Sequence, residues 1–381
     1  MKCIVNGRIV LADEVVSGKA LVYDEKITEI IDADKIDLAK YEVIDAGGNY
    51  VAPGLVDMHI HGYLGADVSD GDTEGIKKMA AGIAENGVTS WCPTTMTVST
   101  EEILGAFNAV RQVRDCGKYY GARILGVNCE GPFINPSKKG AQAEEYIKRP
   151  DGDFILDNAD VLKVVTVAPE MDGADECISK VYKDGRVLVS MGHTGASFDE
   201  ANRGIEAGVR HTTHLFNAMT PLMHRNPGVV GAALCADNVS CELIADTFHV
   251  NRGLFRLVAK VKGEKLCLIT DCMRAGGMPD GDYTLGGQPV RKMGIQCLLE
   301  DGTIAGSVLK LNCAVKNLYD NTELSVAQAF AAASLNPAKA LGEDGEIGSL
   351  EAGKRADIII CDDDFNIIKT IIGGTTRYEC K

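Results

Sequence analysis

The 381-residue sequence lacks several features that mark whole classes of protein. No apolar run reaches transmembrane length, and the first residues, Met-Lys-Cys-Ile-Val-Asn-Gly-Arg, become polar too early for a signal peptide. Positive charge is also scarce: 54 acidic and 39 basic residues leave a net charge of −15, which argues against nucleic acid or an anionic membrane as partner. We therefore expect a cytoplasmic protein, in which an anionic substrate would need a local basic pocket.

Two other absences concern the redox state and the architecture. No Cys-x-x-Cys pair occurs among the thirteen cysteines, their number is odd, and most lie in apolar segments, so we expect reduced core thiols. No Gly-x-Gly-x-x-Gly follows the first strand of the central region, which disfavours a doubly wound dinucleotide-binding sheet. The sequence also has no internal repeat and no low-complexity segment.

Strand and helix patterns alternate through the middle of the chain. Eight strands are predicted at residues 55–61, 88–95, 124–130, 162–170, 187–193, 210–217, 241–249 and 266–271. Helical periodicity occurs at residues 73–86, 101–116, 172–184, 197–207 and 253–261, and the fourth of these begins with the capping box Ser197-Phe-Asp-Glu200. Eight strands with intervening helices predict an α/β fold, a (β/α)8 TIM-like barrel.

Short strand patterns separated by Gly, Asp and Asn occur at both ends of the chain. They occupy residues 1–52 and return within residues 345–381. Neither end has enough strands to bury a sheet face alone, so we expect the two ends to form one small β-sandwich domain. The predicted domains are a β-sandwich of residues 1–52 and 345–381 and a barrel of residues 53–344.

The central motif is the stretch from Pro53 to Gly62, Pro-Gly-Leu-Val-Asp-Met-His-Ile-His-Gly. Its alternation of apolar and polar residues predicts a strand, and residues two apart in a strand share a face. His59 and His61 then point in the same direction, as half of a metal site requires. Considered alone, the pair could equally be two surface histidines on a polar strand face.

Most of the predicted strands end in residues that could carry chemistry. These strand-end residues are His59, His61, Glu130, His193, His214, His249 and Asp271. The active site of a barrel lies at the carboxyl ends of its strands, so these side chains should converge on one rim. A histidine at one strand end is usually structural, whereas this many together favour a metal site.

The motifs around these residues resemble those of a known family. The first strand, with Pro-Gly-x-x-Asp-x-His-x-His, is similar to the amidohydrolase superfamily. Glu130-Gly-Pro132, Gly192-His-Thr194 and His214-Leu-Phe-Asn-Ala-Met219 resemble its N-acetylglucosamine-6-phosphate deacetylase branch, and the resemblance covers nearly the whole chain. It implies deacetylation of N-acetyl-D-glucosamine 6-phosphate to D-glucosamine 6-phosphate and acetate, in amino-sugar catabolism or recycling.

The resemblance also implies roles for individual residues. Glu130, His193 and His214 match the family's metal ligands, and Asp271 matches its general base, which takes a proton from metal-activated water and returns it to the departing amine. Some family members keep the two histidines of the first strand and hold two metals, and this chain keeps His59 and His61. The ligand set suits zinc, iron, manganese or cobalt, as one or two divalent ions per subunit.

The substrate-binding residues implied by the resemblance are Ala141, Gln142, Asn217, Ala218, Arg225, His249, Ile304, Ala305 and Gly306. Arg225 matches the family's phosphate-binding arginine, and guanidinium can hold phosphate with two parallel hydrogen bonds. The resemblance implies a homodimer, in which this arginine could reach the neighbouring subunit's pocket. Three departures from the family pattern concern pocket shape: Gln142 replaces a histidine of some members, Thr247 replaces the usual glycine, and Cys272 replaces a common alanine.

Two alternatives remain open from the sequence. A cyclic amidase of the dihydroorotase or hydantoinase type usually bridges two metals with a carboxylated lysine on the fourth strand, but Lys163 lies near the start of that strand. A barrel that has become a catalytically inactive scaffold would be expected to lose metal ligands, and this sequence keeps them. Metal analysis of the purified protein separates an enzyme from a scaffold.

Overall fold

A parallel β-barrel forms the centre of the computed structural model, which describes residues 1–118 and 120–380. Its strands are Leu55–Ile60, Val88–Thr95, Arg123–Ile124 with Val127–Cys129, Leu162–Val167, Leu188–Met191, His211–Thr212, Ser240–Ile244 and Leu266–Ile269, here called the first to eighth barrel strands. Each pairs in parallel with the next in chain order. The Asp271 amide donates to the His59 carbonyl at 2.9 Å, which joins the eighth strand to the first. The predicted eight-stranded barrel is confirmed.

Helices surround this barrel. They are Thr73–Ala84, Thr100–Asp115, Gly152–Asp157, Ala174–Asp184, Phe198–Ala207, Gly228–Cys235, Phe255–Lys262, Leu311–Asp320, Val326–Ala331 and Leu335–Leu341. The predicted capping box begins the helix Phe198–Ala207, where Ser197 and Glu200 bond each other's backbone amides. None of the helices within the described residues is long and apolar enough to cross a membrane.

Two further sheets are built from the chain ends. The first has the strand order Ile27–Asp32, Lys19–Tyr23, Lys2–Val5, Glu42–Asp45. The second has the order Thr375–Glu379, Ile367–Ile372, Ile358–Cys361, Tyr50–Pro53, Arg8–Val10, Val15–Val16, so it contains strands from both ends of the chain. This arrangement confirms that both ends contribute to one small β-domain.

Side chains from both of these sheets share one buried core. Ile4 and Leu21 of the first sheet belong to the same hydrophobic cluster as Val51 and Ile360 of the second. Burying a face of each sheet against the other removes apolar surface from water, which neither chain end could do alone. The division at residues 1–52, 53–344 and 345–381 stays a prediction, and residues 119 and 381 within it lie outside the described part of the chain.

A three-stranded antiparallel sheet near the barrel rim was not predicted from the sequence. Its strands are Gly281–Leu285, Gln288–Met293 and Gln296–Leu298. Gly286 and Gly287 form the first turn with φ of 54° and 80°, a backbone conformation that glycine adopts at little cost. Gln288 donates a side-chain hydrogen bond to the carbonyl of Ala141, so the turn is anchored to the loop after the third barrel strand.

Candidate metal centre

Six side chains from five strand ends meet inside the rim of the barrel. They form two groups, His59, His61 and Asp271 in one and Glu130, His193 and His214 in the other. Within each group the candidate ligand atoms lie within 4.8 Å of one another, and all six residues are buried. The carboxyl ends of the strands thus bring together the residues that the sequence places there.

The first group joins the first and eighth barrel strands. His59 and His61 project from the same face of the first strand, with their Nε2 atoms 3.3 Å apart. Asp271 Oδ1 lies 3.2 Å from His61 Nε2 and 3.6 Å from His59 Nε2. This group offers two imidazole nitrogens and one carboxylate oxygen at a common point.

The second group comes from the ends of the third, fifth and sixth strands. Glu130 Oε1 lies 2.8 Å from His214 Nε2 and 3.3 Å from His193 Nε2. The two Nε2 atoms are 3.1 Å apart. One carboxylate and two histidines in this geometry are a common ligand set for transition metals.

Glu130 also stands between the two groups. Its Oε2 lies 3.2 Å from His61 Nε2, and its Oε1 lies 3.5 Å from His59 Nε2. Gln142 donates its amide nitrogen to the same Oε2 at 2.7 Å, while its amide oxygen accepts the Thr97 backbone N–H at 2.7 Å. Oε2 therefore faces the first group, and Oε1 lies close to nitrogens of both groups, so one carboxylate could serve two ions.

The hydrogen bonds of the imidazoles show that this donor set fits a cation. His59 Nδ1 donates to Glu242 at 2.9 Å, and His193 Nδ1 donates to the Lys138 carbonyl at 2.8 Å. Each proton on Nδ1 leaves a lone pair on Nε2 of the neutral ring. His193 Nε2 then faces Glu130 Oε1, and His59 Nε2 faces His61 Nε2, each at 3.3 Å. The lone pair of His193 Nε2 and the Glu130 carboxylate oxygen repel one another at this distance unless a proton or a metal ion lies between them, and nitrogen and carboxylate oxygen suit a divalent metal.

Buried charges alter the proton affinities of the centre. Burial alone lowers the pKa of His59, but the carboxylates of Glu242 and Glu130 raise it to about 9. Burial raises the pKa of Glu130, but the imidazoles of His59 and His193 hold it well below its usual range. The centre therefore stabilises ionised carboxylates and positive charge together.

Three of the candidate ligands have left-handed backbone conformations. The φ angles of His193, His214 and Asp271 are 47°, 28° and 50°. Residues other than glycine adopt such angles at a cost on the order of 1–3 kcal/mol each, and such residues concentrate at functional sites. The backbone turns out of the strand at these positions and directs the side chains across the barrel mouth.

A cavity of about 370 Å³ opens above both groups. It is lined by most of the predicted substrate-binding residues, namely Ala141, Gln142, Asn217, Ala218, His249, Ile304 and Gly306. His249 is oriented by Asp246, whose Oδ2 lies 2.6 Å from His249 Nδ1. Of the predicted set, Ala305 is buried behind the lining and Arg225 is exposed on the loop that follows the sixth strand. Within the described residues, Lys138 is the one lysine or arginine that lines this cavity.

Two residues beside the centre were missed by the sequence analysis. Glu242, in the seventh strand, contacts His59, and His211, in the sixth strand, contacts Glu242 at 3.2 Å. Both side chains are fully buried. The available signal was a charged residue in the apolar segment Ser240–Ile244, because an ionised side chain is almost never fully buried without a partner.

Comparison with known proteins identifies relatives along almost the whole chain. The amidohydrolase family model matches residues 50–377. The chain is 37% identical over 381 residues to the N-acetylglucosamine-6-phosphate deacetylase of Bacillus subtilis (98% of this chain and 96% of that protein). It is 37% identical over 336 residues to the N-acetylgalactosamine-6-phosphate deacetylase of Escherichia coli O157:H7 (87% and 89%). The crystal structure of N-acetylglucosamine-6-phosphate deacetylase from Pasteurella multocida superposes with a TM-score of 0.94 at 33% identity, covering 98% of this chain and 99% of that one.

Proposed function

The chain belongs to the amidohydrolase family, and from that premise we propose that it deacetylates N-acetyl-D-glucosamine 6-phosphate to D-glucosamine 6-phosphate and acetate. The observation that carries this proposal is the pair of ligand groups with Glu130 between them, next to a cavity that Asp271 also lines. The relatives named for this reaction support the choice of substrate. We place the reaction in amino-sugar catabolism or recycling.

The family and the two ligand groups support a divalent metal. We propose that Glu130, His193 and His214 hold one ion and that His59 and His61, with Glu130 shared, hold a second, with zinc or iron as the leading identities. Such an ion makes a water molecule more acidic and polarises the carbonyl of an amide.

We propose Asp271 as the general base, and its position supports this role. Its carboxylate lines the cavity and lies within 3.2 Å of His61 Nε2, at the level of the ligand atoms. We propose that it accepts a proton from the attacking water as the oxygen bonds to the acetyl carbon. The same proton then passes to the sugar nitrogen as the C–N bond breaks, which gives the free amine and acetic acid, and the acid loses its remaining proton to solvent as acetate.

The neighbouring side chains of the cavity contain polar groups suited to a sugar. His249, held by Asp246, and Asn217 lie at its wall, where they can hydrogen-bond hydroxyl groups. Gln142 also lines the cavity, although both ends of its amide already bond to Glu130 and Thr97. We propose that Gln142 contacts the substrate with its remaining amide hydrogen.

The cyclic amidase alternative conflicts with the environment of Lys163. Its Nζ bonds to Glu343 at 2.6 Å, at the amino end of the fourth strand and therefore at the opposite end of the barrel from the candidate ligands. The carboxylate between the two ligand groups belongs to Glu130 instead. This geometry favours an acetamide over a cyclic substrate bound at a lysine-bridged centre.

We also propose a cytoplasmic location. No disulfide occurs within residues 1–118 and 120–380, and nine of the thirteen cysteines are buried, where they act as small apolar core residues. A cysteine-rich chain without disulfides is typical of a reducing compartment.

Acetate release after metal reconstitution tests the proposed reaction. The purified chain, stripped of metal and reloaded with zinc, should release acetate from N-acetyl-D-glucosamine 6-phosphate in proportion to the zinc bound. The matched comparison uses N-acetyl-D-galactosamine 6-phosphate, the substrate named for one relative. Faster turnover of the galactosamine derivative would contradict the proposed substrate, and no turnover of either would contradict the deacetylase function.

Within the described residues, the cavity of one copy offers the phosphate of a sugar substrate one lysine and no arginine. Lys138 lines the cavity, whereas Arg225 is exposed on the segment 220–227 beside the exposed Leu222 and Met223. We propose a homodimer in which this segment reaches the neighbouring subunit and its Arg225 binds the phosphate. Exposed apolar side chains next to a cation would then be covered by the second copy.

Replacing Arg225 with alanine should lower kcat/KM for the phosphorylated substrate selectively. Losing a charged hydrogen-bonding pair costs on the order of 1.5–3 kcal/mol, which is roughly a 10- to 150-fold loss in kcat/KM. We expect this loss for N-acetyl-D-glucosamine 6-phosphate, mainly in KM, and almost none for the unphosphorylated sugar. Arg186→Ala is the control, because Arg186 pairs with Asp184 on the surface.

A mixing experiment distinguishes action across the dimer from action within one chain. Arg225→Ala and Asp271→Asn subunits are exchanged in one solution. If Arg225 acts across the interface, each hybrid dimer contains one complete site and activity returns. If Arg225 serves its own chain, every site lacks either the arginine or the base, and no activity returns.

A further inference from the structure

A buried series of hydrogen-bonded side chains extends from His59 to Ser240, away from the cavity. Glu242 Oε2 accepts from His59 Nδ1 at 2.9 Å, and Glu242 Oε1 lies 3.2 Å from His211 Nε2. His211 Nδ1 in turn lies 2.6 Å from the Ser240 hydroxyl. Glu242 and His211 are completely inaccessible to solvent.

The ionised Glu242 carboxylate can only accept hydrogen bonds, so each ring that contacts it presents an N–H to it. His211 therefore presents its Nε2–H to one oxygen of Glu242, and its Nδ1 faces the Ser240 hydroxyl. The other oxygen holds the proton of His59 on Nδ1, so the Nε2 lone pair of His59 faces His61 and Asp271. Metal-bound histidines commonly have such a carboxylate behind them, which sets the ring orientation and makes the ligand nitrogen more basic.

The same carboxylate also supports the second ligand group. Glu242 Oε2 accepts the backbone N–H of His214 at 2.9 Å. His214 has a φ of 28°, a conformation that needs support from its surroundings. One buried side chain thus holds a ring of the first group and the backbone of the second.

We infer that Glu242 is a positioning residue that couples the two metal-ligand groups, with His211 as its anchor. It does not touch the substrate, since it is fully buried behind His59 and does not line the cavity. The inference rests on the metal centre of the proposed function and adds a residue that the reaction itself does not use.

Two substitutions of Glu242 distinguish the effect of its hydrogen bonds on the ligand orientation from the effect of its negative charge. In Glu242→Gln the amide oxygen can still accept from His59 and from the His214 backbone. The amide nitrogen can donate to His211 Nε2 if the proton of that ring moves to Nδ1. Nδ1–H would then donate to the Ser240 hydroxyl, which can itself donate to the Arg210 carbonyl 3.2 Å away. Glu242→Ala removes every one of these bonds.

Zinc affinity, measured by competition with a chromophoric chelator, is the main readout. Loss of such a supporting group costs about 10–100-fold in metal affinity, and we expect a loss of this size for Glu242→Ala and a smaller one for Glu242→Gln. The absorption spectrum of the Co²⁺-loaded protein should also change in Glu242→Gln at full occupancy, which a general loss of stability would not produce.

Glu343→Gln is the matched control, since Glu343 is a partly buried carboxylate bonded to Lys163 away from the ligands. It should leave zinc affinity unchanged. Zinc affinities of both Glu242 variants within twofold of the unsubstituted chain would overturn the inference, and so would an equal loss in Glu343→Gln. Acetate release by the unsubstituted chain is measured in the same preparations. Its absence would count against the proposed function, independently of the zinc affinities.

Discussion

Replacing Asp271 with asparagine is expected to lower kcat by about 10²–10⁴, the range typical of a lost general acid–base group. Asparagine matches the shape of the side chain but cannot accept a proton from water. The group formed by Glu130, His193 and His214 is untouched by the change, so at least its ion should stay bound. The measurement is kcat on N-acetyl-D-glucosamine 6-phosphate together with the zinc content of the same sample.

The control for this variant is Asp280→Asn, which makes the same chemical change at an exposed residue outside the cavity lining. It should leave kcat unchanged. If Asp271→Asn keeps its zinc and a kcat close to that of the unsubstituted chain, Asp271 is not the base.

Replacing His214 with alanine is expected to remove metal and activity together. His214 Nε2 is the closest nitrogen to Glu130 Oε1, at 2.8 Å, and its loss leaves only one histidine in that group. We expect kcat to fall at least as far as in Asp271→Asn, by roughly 10²-fold or more, with zinc lost in parallel. Metal analysis and turnover are measured on the same dialysed protein.

His61→Ala provides the comparison within the same centre. His61 belongs to the other group, so its removal should cost at most the second ion and leave the first in place. A crystal structure of the zinc-loaded protein with zinc bound solely by His59 and His61 would contradict the assignment of Glu130, His193 and His214 as the main metal site. Circular dichroism of both metal-free variants checks that neither change has prevented folding.

The order of the barrel strands followed from sequence patterns, but the ends of several strands did not. The seventh strand was predicted at residues 241–249 and is observed as Ser240–Ile244, and the sixth, predicted at residues 210–217, is observed as His211–Thr212. Ladder pairing stops at Thr212 and Ile244, and the backbone turns to positive φ shortly afterwards, at His214 and Thr247. Alternation of side chains cannot reveal such a turn, because a polar residue after a strand resembles a polar residue within it.

A short apolar helix was also not predicted. Gly228–Cys235 is a helix buried on almost every side, and its composition has no polar face that would indicate a helical period. A continuous apolar run of this length is compatible with a buried strand or with a helix segment. The elements packed around this segment, rather than its own residues, determine whether it becomes a strand or a helix.

The sequence by itself determined the alternation that builds the barrel, the shared β-domain of the two chain ends, and the strand-end residues from His59 to Asp271. These properties are local, since they depend on periodicity and on residue types a few positions apart. Only the tertiary structure decided that Glu130 stands between two ligand groups, that Glu242 holds both, and that Arg225 lies outside the cavity of its own chain. Each of these depends on distances between side chains that are tens to hundreds of residues apart. Such distances are set by the closure of the barrel and the turns at its rim.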